Sequence, residues 1–558
     1  MNEKSVKIII ENIPSQCEVP SGSTLREIAE VLGVQCEYPL LAAYVNNCIR
    51  ELGYRIYTNS TIRYVDYTSF AGVRTYHRTV FLILQKAVEE LFPNNKLHVR
   101  HSMGQNGFYC EVEGISRFSD EECDAISTKM NEIIGADVAI VREKLLTSEV
   151  RELYAQRGYT DKIQLLDTRP RLYSEIYWLE NTMGYFYGSL APSTGLVHLF
   201  KIKGYYRGFY VALPRRDDPS KLNTSPRQEK MFEIFQEYQR WIDLMGVPNV
   251  GALNAKVLEG DTSELIQIGE ALHERELAKL ADIVTFAVQK QGRRMVMISG
   301  PSSSGKTTTC KKLGIQLRIL GYNPVMISLD DYFIDRELTP KDENGEYDFE
   351  CLEAIDIAMF NDHLQRLLAG ESVDIPRYDF ITGRHTNHPI PLRLDDKSII
   401  IIEGIHGLNP RLTPLIEESL KFKVYVSCFT TMSMDNTSRI STSDNRLLRR
   451  LTRDFMTRGT NALATLKRWE SVRRGEERHI FPYQENADVM FNTSLFYEIP
   501  VLKKYVAPIL RSVPNTTVER EEARRLLKFL DHFVDIPDEE IPKTSLLREF
   551  IGGSSFRY

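Results

Sequence analysis

The chain has 558 residues, more than one hydrophobic core supports, and this points to three or four domains. Hydrophobic residues at 42% and charged residues at 26% exclude a disordered or fibrous class. The balance of 70 Lys and Arg against 76 Asp and Glu gives a net charge of −6, so no overall basic excess marks a nucleic-acid binder. The eight cysteines include no C-x-x-C pair, so neither a zinc ribbon nor a thioredoxin-type motif is indicated. The N-terminus carries no apolar leader, and no apolar run approaches the ~18 residues of a membrane span. A reduced, cytoplasmic protein with no membrane partner is expected.

Val6 to Ile10 reads as a strand, Asn12-Ile13-Pro14 as a turn, and Cys17 to Val19 as a second strand. Thr24 to Leu32 places Leu25, Ile28, Ala29 and Leu32 at helical spacing, and Gly33 stops it. Short strands at Ala42 to Val45 and Ile62 to Tyr64 complete a small β-grasp-like unit over residues 1–68. In a second unit, 69–216, a helix is predicted from Arg78 to Leu91 and a strand over Gly107 to Val112. A further helix is predicted from Asp120 to Ile134, with strands again between Val197 and Leu213. Residues 217–292 read as a helical connector, in which Leu272, Leu277, Leu280 and Ile283 are spaced to pack.

From Arg293 the pattern becomes α/β. Met295 to Ser299, Val325 to Leu329, Ile399 to Ile402 and Val424 to Val426 are short apolar strands. Lys306 to Leu320 is a helix with Leu313, Leu317 and Leu320 facing inward. Apolar strands alternating with helices predict a parallel sheet covered on both faces, over 293–500. Residues 501–558 read as helical C-terminal packing. The fold class is therefore multidomain, α+β followed by α/β.

Gly300-Pro301-Ser302-Ser303-Ser304-Gly305-Lys306-Thr307 fits G-x-x-x-x-G-K-[ST], with a buried strand before it and a helix after it. Such a P-loop turns backbone N–H groups around phosphate oxygens at a helix N-terminus. Gly300, Ser302, Ser303, Ser304, Gly305, Lys306, Thr307 and Thr308 are the expected ATP contacts. Lys306 reaches the β/γ-phosphates and the Thr307 hydroxyl takes Mg²⁺. Asp330 follows the next strand, where ligands of an open parallel sheet sit. A carboxylate there orients an acceptor hydroxyl and takes its proton; the bland alternative is an Asx turn. Glu403 ends an all-isoleucine strand, as a magnesium ligand or as a cap on a neighbouring turn. Arg446, Arg450 and Arg453 share a helical face beside Arg449, with Arg458 beyond; they form a closing basic lid or a solvated face.

These pieces, in this order, resemble uridine kinase and its phosphoribulokinase-like relatives over about 293 to 495. The resemblance adds Tyr347-Asp348-Phe349-Glu350, Pro376-Arg377-Tyr378-Asp379-Phe380, Arg449-Arg450-Leu451-Thr452-Arg453-Asp454 and Arg458-Gly459. It implies ATP and Mg²⁺ as cofactors and a nucleoside hydroxyl as acceptor. It also implies Asp330 as base and magnesium neighbour, and Thr307 and Glu403 as the other magnesium contacts. Glu350 would stand at the ribose hydroxyls, Tyr378 and Phe380 at the base, and Arg450, Arg453 and Arg458 at substrate and triphosphate. The sequence departs from the family at Gly383, Thr460 and Arg468, which stand where base-reading or basic residues are expected. A sugar phosphate or another alcohol is therefore an alternative acceptor.

The N-terminal half resembles the front of threonyl-tRNA synthetase: residues 1–68 its TGS domain, residues 69–216 its second additional (editing) domain. Gly107-Phe108-Tyr109, Pro192-Ser193-Thr194-Gly195 and Phe200-Lys201 carry the likeness. Of the editing pocket only His77 persists, with Phe81, Phe186 and Leu190 at the other polar positions. The resemblance implies RNA contact without hydrolytic editing, and an RNA- or ribosome-linked nucleotide sensor as the competing function. A homo-oligomer is a further expectation.

Overall fold

The computed structural model describes residues 5–13, 15–104, 106–223, 228–342, 345–380 and 382–557. Pro14 of the expected turn, and residues 224–227 at the head of the expected helical stretch, lie outside that description.

The first unit is a five-stranded sheet of β1 (Ser5–Ile10), β2 (Ser15–Pro20), β3 (Ala42–Val45), β4 (Cys48–Arg50) and β5 (Ser60–Val65), ordered β2-β1-β5-β3-β4. Helix α1 (Leu25–Leu32) packs Leu25, Ile28 and Ala29 against it. Thr24 accepts from the Glu27 N–H while Glu27 returns to the Thr24 N–H, and Gly33 closes the helix at φ 63°.

Next come α2 (Phe70–Leu91), β6 (Leu97–Met103), β7 (Gly107–Val112), α3 (Asp120–Gly135), β8 (Val141–Leu146), α4 (Thr147–Gln156) and α5 (Thr160–Asp167). They are followed by β9 (Tyr173–Leu179), β10 (Thr182–Gly184), β11 (Lys201–Tyr205) and β12 (Gly208–Ala212). Helix α2 starts at Phe70 rather than at the expected Arg78. Ser69 caps it, accepting from the Gly72 N–H at 3.0 Å, and Val73 and Tyr76 extend the buried stripe. Strands β6, β7, β12 and β11 form one antiparallel sheet, and β8, β9 and β10 form another. The second sheet escaped the sequence reading because β8, Val-Arg-Glu-Lys-Leu-Leu, is largely exposed and lacks an alternating apolar face.

Helices α6 (Glu229–Leu244), α7 (Val250–Glu259) and α8 (Thr262–Gln291) lead into the last region. Its elements are β13 (Met295–Ser299), α9 (Lys306–Ile319), β14 (Asn323–Ser328), α10 (Ile357–Leu368), β15 (Val373–Ile375), β16 (Tyr378–Asp379), β17 (Arg384–His385), β18 (Ile390–Leu392), β19 (Ser398–Glu403) and β20 (Lys421–Ser427). They continue with β21 (Ser433–Asp435), β22 (Ser438–Arg439), α11 (Thr442–Arg458), α12 (Ala462–His479), β23 (Val489–Asn492), α13 (Glu498–Arg511), α14 (Arg520–Leu530) and α15 (Arg548–Ile551).

The sheet runs β14-β19-β13-β20-β23, parallel at every pairing, as expected. Alternate residues of β13 and β19 face opposite layers. Val296, Ile298 and Ile401 meet α8 and α9, while Met297, Ile400 and Ile402 meet α10. Two expected inward residues are in fact exposed, Leu320 just past the end of α9 and Ile283 on the outer side of α8, each 43% accessible.

Helices α13 to α15 are not an appendage. They share one core with α11 and with α4, α5 and α7. The β21–β22 hairpin likewise docks into the preceding region, where Lys162 and Asp435 form a fully buried ion pair at 3.0 Å. Among the described residues no helix is long and apolar enough to cross a membrane.

Candidate active site

Residues 300–305 carry the chain from the end of β13 into α9. The backbone admits little but glycine at two points. A Cβ on Gly300 would stand 1.9 Å from the Val426 carbonyl oxygen, and Gly305 has φ 85° against the Leu546 side chain. Ser303 also takes a left-handed conformation, φ 59°. The buried hydroxyls of Ser303 and Ser304 have no partner among the described residues. Unmatched donors curled around a helix N-terminus suit a phosphate group.

Thr307 donates to Glu403 at 3.2 Å, and Ser328 reaches the same carboxylate oxygen at 3.4 Å. The Asp330 N–H donates to the Ser328 hydroxyl at 3.3 Å, which holds Asp330 in a short turn at the carboxyl end of β14. Burial away from water pushes the Asp330 carboxyl up, against the pull of Lys306, Arg458 and Arg453. Glu403 is pushed up by burial and then by the charge of Asp330. Lys306 is pushed down by burial, with Glu403 and Asp330 opposing; its ammonium donates to the Pro301 carbonyl at 3.1 Å.

The arginine helix α11 departs from the expected mobile lid. Arg446 and Arg449 are buried, paired with Glu476 and Glu498 respectively. Both also donate to loop carbonyls, Arg446 to Ser302 at 3.1 Å and Arg449 to Ser303 at 3.5 Å. This half of α11 is therefore a fixed brace under the loop. Arg450 donates to the Ser302 hydroxyl at 2.8 Å. Burial and the neighbouring Arg458 push Arg453 down to about 10. Arg458 itself is 58% exposed and pairs with Asp454 at 3.5 Å.

Glu350 belongs to the same cleft. Burial raises its carboxyl to about 7, Arg450 and Lys306 oppose, and one of its oxygens is buried without a partner among the described residues. Tyr378 and Phe380 lie edge to face at 5.1 Å and both pack on Phe333, just beyond the Asp330 turn. The Tyr378 N–H donates to Asp331 at 3.3 Å, which ties this aromatic group to that turn. The structure thus brings together every residue of the expected set, with Arg458 on the rim.

Sequence reasoning missed Asp331, Phe333, Glu476 and Glu549. Phe333 and Asp331 adjoin Asp330 and could have been read as its neighbours. Glu549 carried no signal, since it lies more than two hundred residues from the loop. From α15 it accepts from the Thr308 N–H at 3.3 Å and from the Thr308 hydroxyl.

Residues 295–496 match the family described as Phosphoribulokinase / Uridine kinase. This C-terminal region is a P-loop kinase domain of that family. Uridine kinases of Staphylococcus aureus strains JH9 and Newman are each 28% identical over 197 residues, 35% of this chain and 86% of theirs. A solved structure described as a possible uridine kinase from Bacillus stearothermophilus aligns over 39% of this chain and 98% of its own, at 22% identity and a TM-score of 0.28. The match covers the P-loop sheet and leaves residues 1–294 and 497–558 outside it.

Proposed function

We propose that the kinase domain transfers the γ-phosphoryl group of ATP to a hydroxyl of a small molecule, the 5′-hydroxyl of a nucleoside being the leading acceptor. The observation that carries this reading is the meeting of Thr307, Glu403 and Asp330 at the strand ends beside the phosphate loop. Asp330 orients the hydroxyl and takes its proton. Lys306, Arg450, Arg453 and Arg458 face the charge that develops on the transferred group. Glu350 accepts from the acceptor's vicinal hydroxyls, and Tyr378 and Phe380 supply an aromatic wall.

Thr307, Glu403 and Asp330 would hold Mg²⁺. Among the described residues no cluster of three or more His, Cys, Asp or Glu is placed for a metal. The set of one hydroxyl and two carboxylates still suits an ion that keeps several waters and shares phosphate oxygens. When bound, that ion neutralises phosphate charge.

Two predictions arise here. Glu350 grips hydroxyls as a carboxylate, and its pKa of about 7 means that the grip weakens as pH falls through 7. The kcat/KM for acceptor should therefore rise with pH up to about 8 and then level, and Glu350→Gln should remove the inflection. A wild-type profile flat from pH 6 to 8 contradicts the role. Glu549 occupies both Thr308 donors, so Glu549→Gln should tighten ADP binding roughly threefold to tenfold in calorimetry. Unchanged affinity would mean that the phosphates do not approach Thr308.

Acceptor class is tested by incubating the full-length chain with γ-labelled ATP and a panel of ribonucleosides and sugar phosphates. Label in a nucleoside monophosphate supports the leading reading. Label only in a sugar bisphosphate selects the alternative that Gly383 and Arg468 suggest.

For the N-terminal half, we read residues 1–68 as a TGS-like unit and 69–216 as a synthetase editing-like unit, joined by 217–292 to the kinase region at 293–500 and the C-terminal segment at 501–558. Phe81, Phe186 and Leu190 belong to the apolar core there, and burial holds His77 neutral, down at about 3, which argues against hydrolytic editing. One observation favours the nucleotide-sensing alternative. The C-terminal segment touches the phosphate loop through Glu549 and the N-terminal half through Glu522, which pairs with Arg74 at 3.0 Å.

A further inference from the structure

A second cleft, of about 660 Å³, opens far along the chain from the phosphate loop, where three sequence-distant parts meet. Arg50 comes from the end of β4, Arg142 and Lys144 from β8, Arg169 from the segment before β9, and Arg524 and Lys528 from α14. Among the described residues Arg171 is the seventh Arg or Lys on its wall, and Glu175 is the only carboxylate. Such a density of like charge stands out in a chain of net charge −6.

The protein neutralises little of it. Arg142 pairs with Glu175, and Arg171 pairs with Asp531. Glu521, near by on α14, is held by the Ile49 N–H at 3.0 Å. Arg50, Lys144, Arg169, Arg524 and Lys528 have no carboxylate within ion-pair distance among the described residues. The Nε atoms of Arg50 and Arg169 are shut off from solvent with no hydrogen-bond partner among those residues. Burial pushes the Lys528 ammonium down, Arg524 and Arg142 add to that, and Glu175 and Glu521 oppose it from beyond ion-pair distance.

Bringing these cations together is unfavourable unless an anion completes the set. The cleft also offers an exposed ring, Tyr173, with the Lys144 ammonium 4.9 Å from its centre. Its volume is that of a small-molecule site. We infer that this cleft binds a small ligand bearing two or more phosphate groups, such as a nucleoside polyphosphate, at a site separate from the kinase centre. Arg50, Arg169, Arg524 and Lys528 take the phosphates, and Tyr173 faces the remainder of the ligand at the lip. Because α14 contributes two of the cations and belongs to the same C-terminal segment as Glu549, the ligand would contact the segment that touches the phosphate loop.

The test uses full-length protein carrying Lys306→Ala, which silences the phosphate loop, and inorganic tripolyphosphate as probe in calorimetry. Saturable binding is expected that weakens with added salt. Lys144→Glu, an exposed position, and Arg524→Glu should each lower affinity roughly tenfold or more, with circular dichroism unchanged. Absence of saturable binding overturns the inference, as does affinity unaltered in both charge-reversal variants. A single-stranded hexanucleotide RNA serves as the second arm. If RNA binds, loses affinity in the same variants, and is not displaced by tripolyphosphate, the surface is an RNA contact and the small-ligand site is refuted.

Discussion

Asp330→Asn is expected to lower turnover by roughly 10²–10⁴-fold while leaving ATP affinity close to that of the unaltered chain. The substitution preserves shape and removes the proposed proton acceptor. The Asp330 N–H donates to Ser328 through the backbone, so the turn survives the change. In the proposed reaction the nucleotide phosphates are held by the loop and by Lys306, which the change does not touch. Rapid-quench measurement of the first turnover, beside calorimetric ATP binding, separates the two effects. Full activity in the variant would remove Asp330 from the chemistry. Joint loss of binding and turnover would make it a nucleotide or metal contact only.

The second large effect is on stability. Arg449 and Glu498 are 0% and 1% exposed and lie 2.6 Å apart, with Thr493 and a loop carbonyl taking the other guanidinium hydrogens. Removing one partner leaves an uncompensated buried charge, which costs about 3–5 kcal/mol. Arg449→Met should therefore shift the urea midpoint of the kinase region sharply downward. The double replacement Arg449→Met with Glu498→Leu should recover much of that loss, because both desolvation penalties vanish together. Equal loss in the single and double variants would mean that Arg449 acts through packing rather than charge.

The same pair marks the limit of what the sequence disclosed. The phosphate loop was legible because its spacing, the strand before it and the helix after it are all local. Asp330 and Glu403 were legible because strand ends are where ligands of a parallel sheet sit. Glu350, Tyr378 and Phe380 were placed by family resemblance, and they converge on the same cleft. The arginines of α11 were half misread. Arg446 and Arg449 look like an uncompensated run in the sequence, yet Glu476 on α12 and Glu498 on α13 neutralise them. Periodicity assigns a face to a residue but does not say what another helix brings to that face. The same holds for Glu549, whose contact with Thr308 no local pattern encodes, and for the cationic cleft, assembled from β4, β8 and α14. Leu320 and Ile283 failed for a simpler reason: an apolar residue at helical spacing is not obliged to be buried.

The proposed role of the phosphate loop is phosphoryl transfer rather than nucleotide sensing. Its most direct test is ADP release by the full-length chain with Mg-ATP, measured without acceptor and then with nucleosides, ribose phosphates and simple alcohols in turn. Phosphoryl transfer requires saturable release with at least one acceptor, abolished by Asp330→Asn. ATP binding with no acceptor-stimulated ADP release across the panel would contradict it and leave a nucleotide-sensing protein.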